Sequence, residues 1–391
     1  MNNNQTYWII NANVVLEQEV LKGGALKVVG DKIDAVYHQG DAAIPSSKEN
    51  CIDANGSWLL PGFIDIHVHG GFGCDFMDAK EESIETIARF HSTHGTTAIV
   101  ATSMTALHDD ISSVLDSVHS YQQNEMPYAQ VVGVHLEGPF INPNKVGAQN
   151  PAFVSLPRVD WMQEWNEQYP GLIKILSLAP EREGALELIA WLRDNGIVAS
   201  AAHTDANYEQ MEAARLHGLS HSVHMYNAMS PLHHREPGTV GAILTMNDVS
   251  AEIIADGIHV HPVCTRLLVA MKQQDNLVMI TDAMSATGLE DGIYQLGGQD
   301  VLVKGGVARL KVGDSLAGST LTTIRGFRHL VQDIGLTVPE ASRRASLNPA
   351  KVLRLNDTIG SIRGGKQADL LLVSEDLELQ QVIIKGKQIH S

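Results

Sequence analysis

Apolar and polar positions alternate along this chain in two textures. Over residues 7–58 the apolar residues come in short β-type runs, at 8–10, 14–16, 25–29 and 33–37. No ten-residue helical pattern interrupts them. Gly30-Asp31 and Asn55-Gly56 supply turn signals between such runs. Residues 359–391 repeat the texture, with apolar runs at 368–373 and 381–385. Two β-rich ends around a different middle predict one small sheet domain built from both termini, residues 1–58 and 351–391.

The middle, residues 59–350, alternates strand and helix. Eight apolar runs have strand length: 63–68, 97–101, 131–136, 173–178, 197–202, 222–225, 250–255 and 277–281. Helical spacing marks 82–94, 184–195, 207–217 and 262–274 between them, and 321–332 and 339–346 after the eighth. Strands alternating with helices predict a parallel sheet with crossover connections. Eight such units predict a closed (β/α)8 barrel of the TIM type. A doubly wound open sheet is the alternative, but no Gly-x-Gly-x-x-Gly follows the first strand to support it.

Composition narrows the function. A chain of 391 residues, 44% hydrophobic and 19% charged, suits one large barrel with an accessory piece. The net charge of −17 argues against a nucleic-acid or anionic-membrane partner, while leaving room for an anionic small substrate in a locally positive pocket. Cys51, Cys74 and Cys264 are scattered and odd in number, which argues against a disulfide framework or a thiolate zinc site. Residues 1–5 carry no basic region leading into an apolar run, and no apolar run reaches the roughly 20 residues of a membrane span. A cytoplasmic protein is expected.

The chemistry concentrates at the carboxyl ends of the predicted strands, where barrels place their active sites. In the first strand, His67 and His69 alternate onto one face. The third strand delivers Glu137, the fifth His203, the sixth His224 and the eighth Asp282. Taken singly, each has a structural explanation as a helix cap, an ion-pair partner or a core hydrogen bond. Six imidazoles and carboxylates at corresponding places on five strands are harder to bury without a cation. Nitrogen and oxygen ligands together suit zinc or iron better than calcium or magnesium. His135 shares a face with Glu137, which offers it as an additional ligand or a support behind one, and a structural role is the preferred reading. The polar Gly/Pro-containing stretch 142–151 reads as a lid or substrate loop, against an ordinary surface connection. Arg235 is the candidate grip for an anionic group, since guanidinium binds phosphate through a forked pair of hydrogen bonds. His259 and His261 follow the seventh strand, and their spacing puts them on one face, one toward substrate and one structural.

These residues carry a resemblance. The opening His-x-His strand and the closing Gly-Ser-Ile-Arg-Gly-Gly-Lys-Gln-Ala-Asp-Leu (360–370) resemble the amidohydrolase superfamily. His-Leu-Glu-Gly-Pro-Phe (135–140), Ala-His-Thr-Asp-Ala (202–206) and His-Met-Tyr-Asn-Ala-Met (224–229) are similar to motifs of its N-acetylglucosamine-6-phosphate deacetylase family. So are His-His-Arg-Glu-Pro-Gly (233–238), Ala-Asp-Gly-Ile-His-Val (255–260) and Ile-Thr-Asp-Ala-Met (280–284). The resemblance implies a TIM barrel with a small β-sandwich from both termini, and a homodimer. It implies that Glu137, His203 and His224 hold a principal divalent metal, with His67 and His69, a bridging Glu137 and nearby Asp282 supporting a second. It further implies that Asn227, the Ala228 backbone, His259, Gln149 and an Arg235 reaching across from the neighbouring subunit bind a sugar phosphate. Asp282 would be the general acid/base of an acetamide hydrolysis giving glucosamine 6-phosphate and acetate. The galactosamine epimer as substrate is one alternative, and a non-catalytic sugar-phosphate or metal-binding protein a more distant one. A cyclic-amide hydrolase is disfavoured, since no lysine lies near the end of a predicted middle strand.

Overall fold

The computed structural model describes residues 6–45, 49–272 and 274–389, so the start at 1–5 lies outside the described residues. Eight parallel strands run in consecutive order: Phe63–Val68, Thr96–Ser103, Gln130–Glu137, Ile173–Leu178, Val198–Ala201, Leu219–Ser222, Ser250–Ile254 and Leu277–Ile280. The ring closes between the eighth and first, where Val68 bridges Ala283 and Asp282 N–H donates to the His67 carbonyl at 2.9 Å. Helices outside and side chains inside bury these strands on both faces, which is why they read as near-continuous apolar runs. The expected TIM barrel is the fold.

Seven of the eight expected strands lie within two residues of the observed ones. The sixth is corrected: it runs Leu219–Ser222, not 222–225. The apolar side chains of Val223 and Met225 imitate a strand there, but both belong to the turn that follows, and both are fully buried.

Six of the expected helices form close to their predicted places. Asn207 and Gln210 close a capping box at the start of Tyr208–His217, and Thr337 and Glu340 do the same for Val338–Ala345. The helix expected over 262–274 ends at Met271, and Gln273 lies outside the described residues. The segment expected as one helix over 321–332 is helical over Thr323–His329 and loosens into a π-turn over Leu330–Ile334. Among the described residues, no helix is long and apolar enough to cross a membrane.

Strands from both termini join in a second sheet, which includes Thr6–Val15, Val20–Val29, Lys32–Tyr37, Trp58–Pro61, Leu370–Val373 and Leu379–Ile384. Thr6–Val15 is one strand across the expected runs 8–10 and 14–16, with a register shift between them. Asn55 and Gly56 both take positive φ, 47° and 83°, the conformation that makes Asn-Gly a tight-turn pair. From Trp58–Pro61 the chain passes through Gly62 into the first barrel strand. A β-carbon at Gly62 would lie 2.2 Å from Thr97 Oγ1, so only glycine lets the chain enter the barrel there. A three-stranded antiparallel insertion, Gly292–Leu296, Gln299–Lys304 and Val307–Leu310, follows the eighth strand, in a stretch where the sequence pattern singles out no element.

Candidate active site

The carboxyl ends of the strands converge on Glu137, the last residue of the third strand and 2% exposed. Its Oε1 lies 3.0 Å from His224 Nε2, 3.2 Å from His203 Nε2 and 3.4 Å from His67 Nε2. Its Oε2 lies 3.3 Å from His69 Nε2. Asp282 Oδ1 stands 3.2 Å from the same His69 atom and 3.7 Å from His67 Nε2. Two triads result, Glu137/His203/His224 and His67/His69/Asp282, side by side with Glu137 between them.

Three of the six ligand-type residues are delivered in the same way. His203, His224 and Asp282 each lie two residues beyond their strand's end, and all three sit in the left-handed region, with φ of 43°, 23° and 52°. Tyr226 and Ala228 share that conformation, at 78° and 50°. Such backbone costs about 1–3 kcal/mol per residue and clusters where a site over-determines it. Here the bonds that hold it are visible. His203 O accepts from Asn142 N–H, and Asp282 O from Ser319 N–H at 2.7 Å.

The donor set fits a cation. A tetrahedral zinc with bonds of about 2.0–2.2 Å separates its ligand atoms by roughly 3.4 Å, the spacing seen between these nitrogens and oxygens. His67 Nε2 is fully buried, faces both carboxylates and has no hydrogen-bond partner. Its Nδ1 bonds Glu252 Oε2 at 2.8 Å, and His203 Nδ1 donates to the Lys145 carbonyl at 2.8 Å. Both anchors leave Nε2 as the coordinating atom. Burial pushes the carboxyls of Glu137 and Asp282 up, but the histidines around them prevail and hold both below the usual carboxylate range. His135 spends both nitrogens elsewhere, on the Ile66 carbonyl at 3.0 Å and Ser177 Oγ at 2.7 Å, in keeping with a structural role.

Above the triads opens a cavity of about 420 Å³. Of the residues singled out from sequence, His69, Glu137, Gln149, His203, His224, Asn227, Ala228, His259 and Asp282 line it. His67 is fully buried behind them. Gln149 is itself buried, donating from Nε2 to Glu137 Oε2 at 2.5 Å and accepting from Thr105 N–H at 2.7 Å. Asn227 Nδ2 donates to the His224 and Met225 carbonyls. His259 Nδ1 donates to Asp256 Oδ2 at 2.7 Å. Burial disfavours its charged form, but the Asp256 hydrogen bond and charge prevail, raising its pKa.

One expectation needs correction. His259 and His261 do not alternate along a strand, because the seventh strand ends at Ile254. His261 instead caps helix Pro262–Met271, its ring nitrogen accepting from Val263 N–H at 3.2 Å. Within one chain Arg235 is exposed, bonded to His234 Nε2 at 2.7 Å, and does not line the cavity.

Sequence reasoning also missed residues here. Glu252 is fully buried in the seventh strand and bonds both His67 and His221. A glutamate inside a strand of otherwise buried residues was the available signal. The three-stranded insertion supplies one cavity wall through Leu296, and Gln299 Nε2 ties it to loop 142–151 at the Ala148 carbonyl, 2.7 Å away.

The chain is similar to known proteins in sequence and fold. The sequence model of the Amidohydrolase family matches residues 58–389. The chain is 41% identical to an N-acetylglucosamine-6-phosphate deacetylase of Bacillus subtilis (strain 168), over 95% of this chain and 94% of that one. It is 37% identical to an N-acetylgalactosamine-6-phosphate deacetylase of Escherichia coli O157:H7, over 88% and 91%. Among solved structures, a mutant N-acetyl-D-glucosamine-6-phosphate deacetylase of Mycobacterium smegmatis, in complex with N-acetyl-D-glucosamine-6-phosphate, superposes with a TM-score of 0.93 at 33% identity. That match covers 99% of this chain and 100% of that one.

Proposed function

The chain belongs to the amidohydrolase family, and from that premise we propose that it hydrolyses the acetamide of N-acetyl-D-glucosamine 6-phosphate to D-glucosamine 6-phosphate and acetate. The observation that carries this reading is the convergence of four imidazole Nε2 atoms on Glu137 and Asp282 at the base of the cavity.

In this reading Glu137, His203 and His224 hold the principal divalent cation, zinc or iron. His67 and His69, beside Glu137 and Asp282, would hold a second. A cation bound there supplies Lewis-acid polarisation of the acetamide carbonyl and acidifies water. Asp282 is the proton carrier. Its carboxylate, with Oδ1 3.2 Å from His69 Nε2 at the base of the cavity, takes a proton from the attacking water as the carbon–oxygen bond forms. It then delivers that proton to the departing nitrogen as the carbon–nitrogen bond breaks. His259, kept toward its charged form by Asp256, with Asn227, Ala228 and Gln149, orients the sugar.

The phosphate grip assigned to Arg235 requires a second subunit, because this residue stands outside its own cavity. A homodimer is therefore part of the proposal. Val263, Leu267 and Met271, spaced by four along one helix and 58%, 44% and 42% exposed, support it as an uncovered apolar stripe. So too are a cytoplasmic setting, resting on the scattered cysteines, and the division into 1–58 with 351–391 and 59–350.

The 37% identical relative from Escherichia coli favours a second reading, the galactosamine epimer as substrate. Acetate release from the two N-acetylhexosamine 6-phosphates, measured side by side on protein of known metal content, tests both. Faster release from the gluco substrate is expected. Preference for the galacto substrate would keep the chemistry and move the specificity, and no release from either by metal-loaded protein would sink the deacetylase reading.

A further inference from the structure

We propose that Glu252 is a positioning residue that holds His67 and thereby sets whether the His67/His69 pair retains a second cation. The proposal rests on the metal-site part of the reading above, not on the identity of the sugar.

Glu252 sits in the middle of the seventh strand, fully buried and outside the cavity lining, so it touches neither substrate nor the reacting atoms. A carboxylate buried in this way persists only if donors surround it. Three do. His67 Nδ1 lies 2.8 Å from Oε2, the His224 backbone N–H 3.2 Å from the same oxygen, and His221 Nε2 3.0 Å from Oε1. His221 is held in turn by Ser250 Oγ, 2.6 Å from its Nδ1. The carboxylate thus spans the barrel interior from the seventh strand to the first, past the intervening eighth.

The consequence falls unevenly on the two triads. The Glu252 bond takes the Nδ1 proton of His67, which leaves Nε2 with its lone pair directed at Glu137 and Asp282. His69 has no comparable anchor, since its Nδ1 is buried without a partner. The affinity of the first-strand pair therefore depends on the one imidazole that Glu252 fixes. In the other triad, the His203 ring is fixed by a backbone carbonyl, and Glu252 meets His224 only at its backbone. A centre using Glu137, His203 and His224 alone has no need of a charge at position 252.

The test is Zn²⁺ titration of metal-free full-length protein, wild type against Glu252→Gln, read by calorimetry and by bound metal per chain. Wild type is expected to take two ions. Glu252→Gln should take the first with unchanged affinity and hold the second about 10- to 100-fold more weakly. If Glu252→Gln does not fold, Glu252→Asp keeps the charge near His221 but is a methylene too short for His67, and the same selective loss is expected. Two ions bound with wild-type affinity by the folded variant would overturn the proposal. So would equal weakening of both ions alongside a lowered Tm, which marks a merely structural role, or a wild type that takes only one ion. Wild type that takes two ions but releases no acetate would sink the sugar reading and leave this one standing.

Discussion

Asp282 shows how much a single residue can carry. It is 8% exposed, takes a left-handed φ of 52°, and points its carboxylate at His69 while its backbone closes the barrel onto His67. Replacement by asparagine preserves the shape and the backbone bonds but removes the proposed proton acceptor. Asp282→Asn is expected to lower kcat by between about a hundredfold and ten-thousandfold with bound metal close to wild type. Steady-state acetate release with metal analysis checks this, and a near-normal kcat would remove Asp282 from the role. This aspartate was legible in the sequence because it ends an apolar run at a place matching other strand ends. Glu252 was not. Nothing local distinguishes a glutamate bonded to three groups from one in an ordinary ion pair, since its partners lie 28 to 185 residues away.

At the scale of elements, the site is an arrangement of strand ends and the loops that follow them. Loop 142–151, read from sequence as a lid, is tied into the site from two directions. The Lys145 carbonyl holds His203 Nδ1, and Gln149 bonds Glu137. Gly147 makes that approach feasible: its φ is +56°, and a β-carbon there would lie 3.3 Å from His203 Cε1. A left-handed alanine costs roughly 1–2 kcal/mol, and the methyl would also crowd the imidazole. Gly147→Ala should therefore lower kcat/KM about tenfold with little change in Tm, as thermal melts beside initial-rate kinetics would show. An unchanged kcat/KM would make the loop an ordinary connection. The sixth strand illustrates the limit of local reading. Val223 and Met225 are as buried as any strand residue, and pattern alone cannot separate a buried turn from a buried strand.

For the whole molecule, the role proposed for Arg235 depends on a second subunit. The apolar stripe on helix Pro262–Met271 gives the test. Leu267→Glu combined with Val263→Glu should convert a dimer to monomers in sedimentation experiments and raise KM, because Arg235 is withdrawn from the neighbouring cavity. A doubly substituted protein that stays dimeric would place the contact elsewhere, and a fully active wild-type monomer would remove the partner arginine altogether. Sequence by itself determined the barrel, the two β-rich ends and the imidazoles and carboxylates at the strand ends. Those are written in short-range periodicity and at strand ends, where the backbone geometry of one segment suffices. Only the tertiary structure decided that His259 faces the cavity while His261 caps a helix, and that Glu252 stands behind His67. The Glu252 contact depends on which distant segments meet, and a through-space hydrogen bond across the barrel leaves no period in the chain.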